Sequence, residues 1–106
     1  MRTPKTYWTY ILANQYDTVL YVGVTSDLFR RLEEHRAGTA SAFTARYRVC
    51  KLVHAESFAY VHDAIAREKE VKAWRREKKL GLIWATNPEM ADLSGAGLGD
   101  PSLRSG

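Results

Sequence analysis

The sequence predicts an α+β fold: a β-hairpin, a helix, a third strand and a long helix. Three observations lead there. Residues 7–13 (Tyr-Trp-Thr-Tyr-Ile-Leu-Ala) are aromatic, β-branched and apolar, as strands are. In residues 20–24, Leu20, Val22 and Val24 alternate with Tyr21 and Gly23, and a helix-start signature follows at once. From Val61 to Lys79 the spacing turns helical, with Val61, Ala64, Ile65 and Val71 as the apolar stripe.

Taken in order, the strand at 7–13 is followed by the short, turn-rich Asn14-Gln15-Tyr16-Asp17-Thr18 and a second strand over 19–24. Two strands joined so closely form an antiparallel hairpin. Trp8, Tyr10 and Leu12 share one face of the first strand, and Val19, Tyr21 and Gly23 share one face of the second. The register, and so which tyrosine lies across from which residue, stays open. Thr25, Ser26 and Asp27 can accept hydrogen bonds from the free N–H groups of a new helix, and Gly38 is placed to end it. At about 100° per residue, Leu28 and Leu32 define its buried stripe. Arg31 and His35 flank that stripe one turn apart, while Arg30 and Glu34 point away. An arginine and a histidine beside a strand-borne tyrosine suit an anion, because guanidinium grips phosphate in a bidentate way. The plainer alternative is a snorkelling arginine and a capping histidine.

Residues 39–48 are small and polar apart from Phe43, Arg46, Tyr47 and Arg48, and are predicted to be a loop. Such a loop either stacks bases and touches phosphates or is a connector pinned by Phe43. Residues 51–58 read as the third strand. In the long helix Glu68 falls in the middle of the apolar stripe. An isolated buried carboxylate costs several kcal/mol, so it must be paired, hydrogen-bonded or bound to a cation. The alternatives are a salt bridge to Arg31 or Lys72 and a metal site. A single carboxylate supplemented by water and substrate phosphate is how Mg²⁺ is usually held. The basic end of this helix, Arg75-Arg76-Glu77-Lys78-Lys79, suits the negative end of the helix dipole and an anionic partner. Gly81 is predicted to break the helix before a short one at 82–85, and Asn87-Pro88 marks a stop. Residues 94–106 contain Gly, Ser and Pro and are predicted to be a disordered tail behind a domain of residues 1–93.

At 106 residues the chain is one domain with one modest core. The single cysteine, Cys50, excludes an internal disulfide framework and fits a reducing compartment. No apolar run reaches membrane-spanning length and no signal-peptide pattern follows Met1, so a cytoplasmic location is expected. The net charge is +4. The acidic excess at 88–106 leaves the first 87 residues at +6, which points to a polyanionic partner, nucleic acid first. His54 and His62 have no zinc-ligand spacing with a cysteine or a second histidine.

Together these residues resemble the GIY-YIG nuclease superfamily, and within it the small single-domain bacterial members, over roughly residues 6–93. The second half-motif stands as Tyr21-Val22-Gly23. The first stands as Trp8-Thr9-Tyr10, with its tyrosine kept and its glycine replaced. The family arginine falls on Arg31, its tyrosine-or-histidine position on His35, its metal-binding glutamate on Glu68 and an asparagine on Asn87. Where the excision-repair member has a lysine after the second motif, this chain has Val24.

The resemblance implies a compact three-stranded, mainly antiparallel sheet flanked by helices. It also implies phosphodiester hydrolysis with one divalent ion, Mg²⁺ or Mn²⁺. In that scheme Arg31 stabilises the charge developing on the scissile phosphate. Glu68 holds the metal, Tyr10 or Tyr21 accepts the proton of the attacking water, and His35 relays a proton or orients a tyrosine. Arg46, Tyr47, Arg75, Arg76 and Asn87 are the candidate nucleic-acid contacts. The expected substrate is DNA ahead of RNA, single-stranded or branched ahead of a defined duplex site. No protein partner is implied. Two alternatives stand beside the nuclease: a nucleic-acid-binding module of the same fold without turnover, and a structural protein in which Glu68 is simply salt-bridged.

Overall fold

Strand formers at 7–13 make β1 (Tyr7–Ala13), the middle strand of a sheet ordered β2-β1-β3, with β2 at Leu20–Thr25 and β3 at Lys51–Phe58. The computed structural model describes residues 5–96. Both pairings of β1 are antiparallel. The hairpin register sets Tyr10 opposite Gly23 and Leu12 opposite Tyr21. Between β1 and β3 the register shifts between Ile11 and Leu12, leaving Val53 without a partner across the ladder. Such a bulge turns two successive side chains to one face. Beyond it the strand is regular, so His54 and Glu56, two residues apart, share a face and their side chains are 2.8 Å apart.

Alternation along the strands gives the sheet two apolar faces. On one, Tyr10, Leu12 and Leu52 pack with Leu28 and Leu32 of α1 (Leu28–Ala37) and with Val49. On the other, Ile11, Ala13, Val22 and Val53 pack with Val71 of α3 (Val61–Lys72) and Ile83 of α4 (Arg76–Thr86). α1 starts where expected, with the Asp27 carboxylate accepting from the Arg30 N–H. It stops at Gly38, which takes φ 80°, a conformation easiest for glycine.

The structure corrects the sequence reading in five places. Residues 42–47 are not a loop but a short helix, α2 (Ala42–Tyr47), capped by the Ser41 hydroxyl. The helix expected over Val61–Lys79 ends at Lys72. Trp74 turns in to pack against the core, with Arg67 and Lys78 over its ring, and Arg75 caps α4. Gly81 does not break a helix: it sits within α4, and α4 ends at Asn87. The apolar stripe is narrower than its pattern, since Val61 and Ile65 face solvent while Ala64 and Val71 are buried. Of the expected tail, Ser94 to Ala96 belong to a 3₁₀ turn (Leu93–Ala96). Residues 97–106 lie outside the described part.

Candidate active site

The site is built at the β2 side of the sheet, on the face covered by α1. Tyr10 is buried with its ring against the backbone of Gly23. A Cβ at Gly23 would lie 2.5 Å from the Tyr10 hydroxyl oxygen and 2.6 Å from Cζ. The glycine is therefore required by a close approach: it makes room for the phenol across the strand pair. The phenol meets His35 Nε2 at 2.9 Å, and His35 Nδ1 meets Thr44 Oγ1 at 2.9 Å. Thr44 Oγ1 donates to the Ser41 carbonyl at 3.3 Å. A hydroxyl that donates there must accept from His35, so Nδ1 carries the proton and Nε2 accepts from the Tyr10 hydroxyl. α2 thus contributes to the candidate site a residue, Thr44, which the sequence reading did not select.

Electrostatics agree with that assignment. Burial lowers the His35 pKa, Arg31 lowers it further and Glu34 opposes them, so the ring is neutral at neutral pH. Burial raises the Tyr10 phenol well above the ordinary tyrosine range. The charges of Tyr21, Glu34 and Glu68 add to the rise, and Arg31 opposes it. Arg31, Glu34 and Glu68 therefore all act on one phenol. Tyr10 is a hydrogen-bond donor here, not a resting phenolate.

Tyr21 is half-buried beside this pair, its ring 5.4 Å from that of His35 and 6.4 Å from that of Tyr10. Arg31 is 38% exposed and 3.4 Å from Glu34. Glu68 reaches the site from α3. Its side chain is only 12% exposed and lies 2.6 Å from Lys72 Nζ. Of the two ion pairs considered for Glu68, the structure forms the one with Lys72. That pair holds the lysine's pKa up, while the lysine itself remains largely in solvent.

The other candidates separate. Arg46 and Tyr47 lie exposed on α2, the guanidinium 5.5 Å from the Tyr47 ring. Arg75 is exposed at the α3–α4 break, whereas Arg76 donates to the backbone carbonyls of Asp17 and Thr18 in the hairpin turn. Asn87 is buried, donating to the Val53 and Ala91 carbonyls and accepting from the Ala91 N–H. It ties α4 to β3 and is not at the surface.

The profile of the GIY-YIG catalytic domain matches residues 6–80. The chain belongs to the GIY-YIG family. A UPF0213 protein of Haloquadratum walsbyi is 43% identical over 66 residues, spanning 62% of this chain and 74% of that one. A UPF0213 protein of Staphylococcus aureus is 37% identical over 67 residues, spanning 63% and 82%. The solution structure of a UPF0213 protein from Bacillus halodurans superposes with a TM-score of 0.53 at 28% identity, covering 82% of this chain and 92% of that one. The three-stranded antiparallel sheet with its helices is thus the GIY-YIG fold.

GIY-YIG is a nuclease family, which makes nucleic acid the substrate class and a divalent ion the usual cofactor. Among the described residues no three His, Cys, Asp or Glu side chains cluster as a metal cage. Glu68, the least exposed carboxylate beside the site, would hold an ion there together with water and substrate phosphate. That donor set fits Mg²⁺, provided the flexible Lys72 yields its carboxylate oxygen. Among the described residues no helix is long and apolar enough to cross a membrane.

Proposed function

We propose that this chain is a metal-dependent endonuclease that hydrolyses phosphodiester bonds in DNA. It would act in the cytoplasm on single-stranded or branched sites, with little sequence preference. The observation that carries the reading is the Tyr10–His35 bond at 2.9 Å, made possible by Gly23 and flanked by the Tyr21 ring, with both motif tyrosines and the α1 histidine in one cluster.

The scissile phosphate sits against Arg31, whose guanidinium stabilises the charge that develops there. A divalent ion held by Glu68 would neutralise the leaving oxygen. Tyr21, the more accessible tyrosine, acts as its phenolate: its own proton leaves to solvent, and the oxygen then takes the proton of the attacking water. Tyr10 stays protonated and is held by His35, which in turn is held by Thr44; this series of hydrogen bonds fixes the wall beside Tyr21. Val24 supplies no cation where the excision-repair relative has a lysine, so Arg31 is the cation contributed by this face.

The alternative, a binding module without turnover, is favoured by the Glu68–Lys72 pair and by Trp8 in place of the motif glycine. A cleavage assay separates the two. Labelled single-stranded, duplex and branched DNA, and RNA, are incubated with Mg²⁺, Mn²⁺ or EDTA and with wild type, Glu68→Ala or Arg31→Ala. The nuclease reading expects metal-dependent cutting that falls about 10²–10³-fold in Arg31→Ala and is lost in Glu68→Ala, with both variants folded. Salt-sensitive binding without cutting by the wild type would establish the module instead.

A further inference from the structure

A second concave region lies away from the phenol–imidazole pair, at the hairpin end of the sheet. It is an open cavity of about 720 Å³ between the β1–β2 turn, the end of α1 and the α2–β3 connection. Tyr16, Tyr47, Arg36, Arg48 and Lys51 line it. Nothing in the catalytic scheme uses it. A smaller cavity of about 390 Å³, also lined by Arg36 and Arg48, runs from it back to His35 and Thr44.

Three features give this cavity a chemistry. It is basic: Arg36 and Arg48 form no ion pair among the described residues, while Lys51 is paired with Asp17 at 2.7 Å. The lining carboxylate, Asp92, accepts from the Leu52 N–H and from Ser94, and Ser94 in turn accepts from Arg36 at 2.6 Å, which holds that guanidinium in place. It is aromatic: Tyr16 is 74% exposed and Tyr47 stands half out of the surface. Finally, it is joined to the site. Tyr21 stacks on Phe43 with ring centroids 6.3 Å apart, and Phe43 meets Tyr47 at 5.0 Å. An unbroken aromatic series thus leads from the catalytic face to the cavity wall, flanked by Arg46.

We propose that this cavity is a nucleotide subsite for a single-stranded polynucleotide, reached from the active site along Tyr21, Phe43 and Tyr47. The inference rests on the reading that the chain acts on nucleic acid, and it locates where an unpaired strand is held. Unpaired bases stack on Phe43 and Tyr47, a further base stacks on Tyr16, and Arg36 and Arg48 take the intervening phosphates. Ring faces accept any base, so the track is indifferent to sequence but requires unpaired bases. Its volume falls within the range of roughly 300–1,000 Å³ found for pockets that enclose small molecules.

The test is fluorescence anisotropy in EDTA, with labelled oligothymidylate and oligouridylate of about 12 nucleotides, the same probes cut to about 3, and a duplex. Tyr16→Ser and Arg48→Asn are compared with wild type. Asparagine suits the left-handed backbone of Arg48, which has φ 54°. In either nucleic acid the long single strand is expected to bind about fivefold or more weakly to Tyr16→Ser. Arg48→Asn is expected to lower the slope of log affinity against log salt by about 0.7. The short probes and the duplex show neither change. Unaltered long-strand binding in both variants, equal losses on the short or duplex probes, or no single-strand binding by wild type would each overturn the subsite. Cleavage measured in parallel keeps the two readings apart. Cutting by wild type with unaltered binding in the variants removes the subsite alone. Binding without cutting, still weakened in the variants, removes the nuclease alone.

Discussion

Gly23→Ala tests the central contact of the site. The new Cβ would lie 2.6 Å from Tyr10 Cζ, against roughly 3.5–4.0 Å for an ordinary carbon contact. Backbone holds one side of this contact and the buried ring the other, so the ring must retreat by about 1 Å. The Tyr10–His35 bond starts at 2.9 Å and then leaves hydrogen-bond range, stranding a buried acceptor at a cost of about 1–3 kcal/mol. Overpacking itself costs about 1–3 kcal/mol. Movement of the ring relieves strain as it breaks the bond, so the two costs do not simply add; the expected loss is about 2–3 kcal/mol. For a domain of this size that lowers Tm by roughly 10–20 °C. The assay is urea or thermal unfolding of wild type, Gly23→Ala, Tyr10→Leu and the double variant. Because leucine removes the atoms the methyl would strike, the glycine substitution should cost about half as much or less in the Tyr10→Leu background. A Gly23→Ala protein within about 0.5 kcal/mol of wild type, or an additive cycle, would refute the argument.

Three other outcomes are expected. The His35 pKa is lowered in the fold, so between the folded value and the usual 6.5 the unfolded chain binds more protons; stability is full above 6.5, falls as pH drops below it, and loses that slope in His35→Gln, as pH-dependent urea unfolding would show. Asn87→Ala leaves the Val53 carbonyl and two Ala91 backbone groups without their partner; a loss of about 2–3 kcal/mol is expected, with the salt dependence of nucleic-acid binding unchanged. Gly81 lies within α4 with nothing within 4 Å of where a Cβ would stand; Gly81→Ala should stabilise by about 0.5–1 kcal/mol in thermal unfolding.

The strands were legible because alternating aromatic and β-branched residues encode both strand and face, and α1 was legible because its stripe is framed by Asp27 and Gly38. The other helices were read less well. α2 is six residues long and too short for a periodic stripe; its signal was Ser41 three residues before Thr44, a cap pattern without an apolar run behind it. The α3–α4 break has neither Gly nor Pro, since it is produced by Trp74 seeking the core, a tertiary effect that local propensity does not record. Arg31 and His35 could be placed on one helix edge from the sequence. The Tyr10–His35 bond could not, because it depends on the register that sets Tyr10 opposite Gly23. Asn87 shows the converse difficulty: its position in a motif suggested a contact with substrate, while its burial shows a brace between α4 and β3.

The central sheet separates two independently packed layers, and the candidate machinery is divided between them: Tyr10, His35 and Arg31 belong to the α1 side, Glu68 to the α3–α4 side. Breathing of a small domain follows such seams, and partial opening costs less than global unfolding. If α3 and α4 detach transiently, the carboxylate leaves while the phenol–imidazole pair stays assembled. In the nuclease reading, turnover on warming would then follow whichever layer opens first and decline before the sheet melts. Amide exchange compared between α1 and α3 is accordingly a more direct index of when the site comes apart than the overall melting temperature.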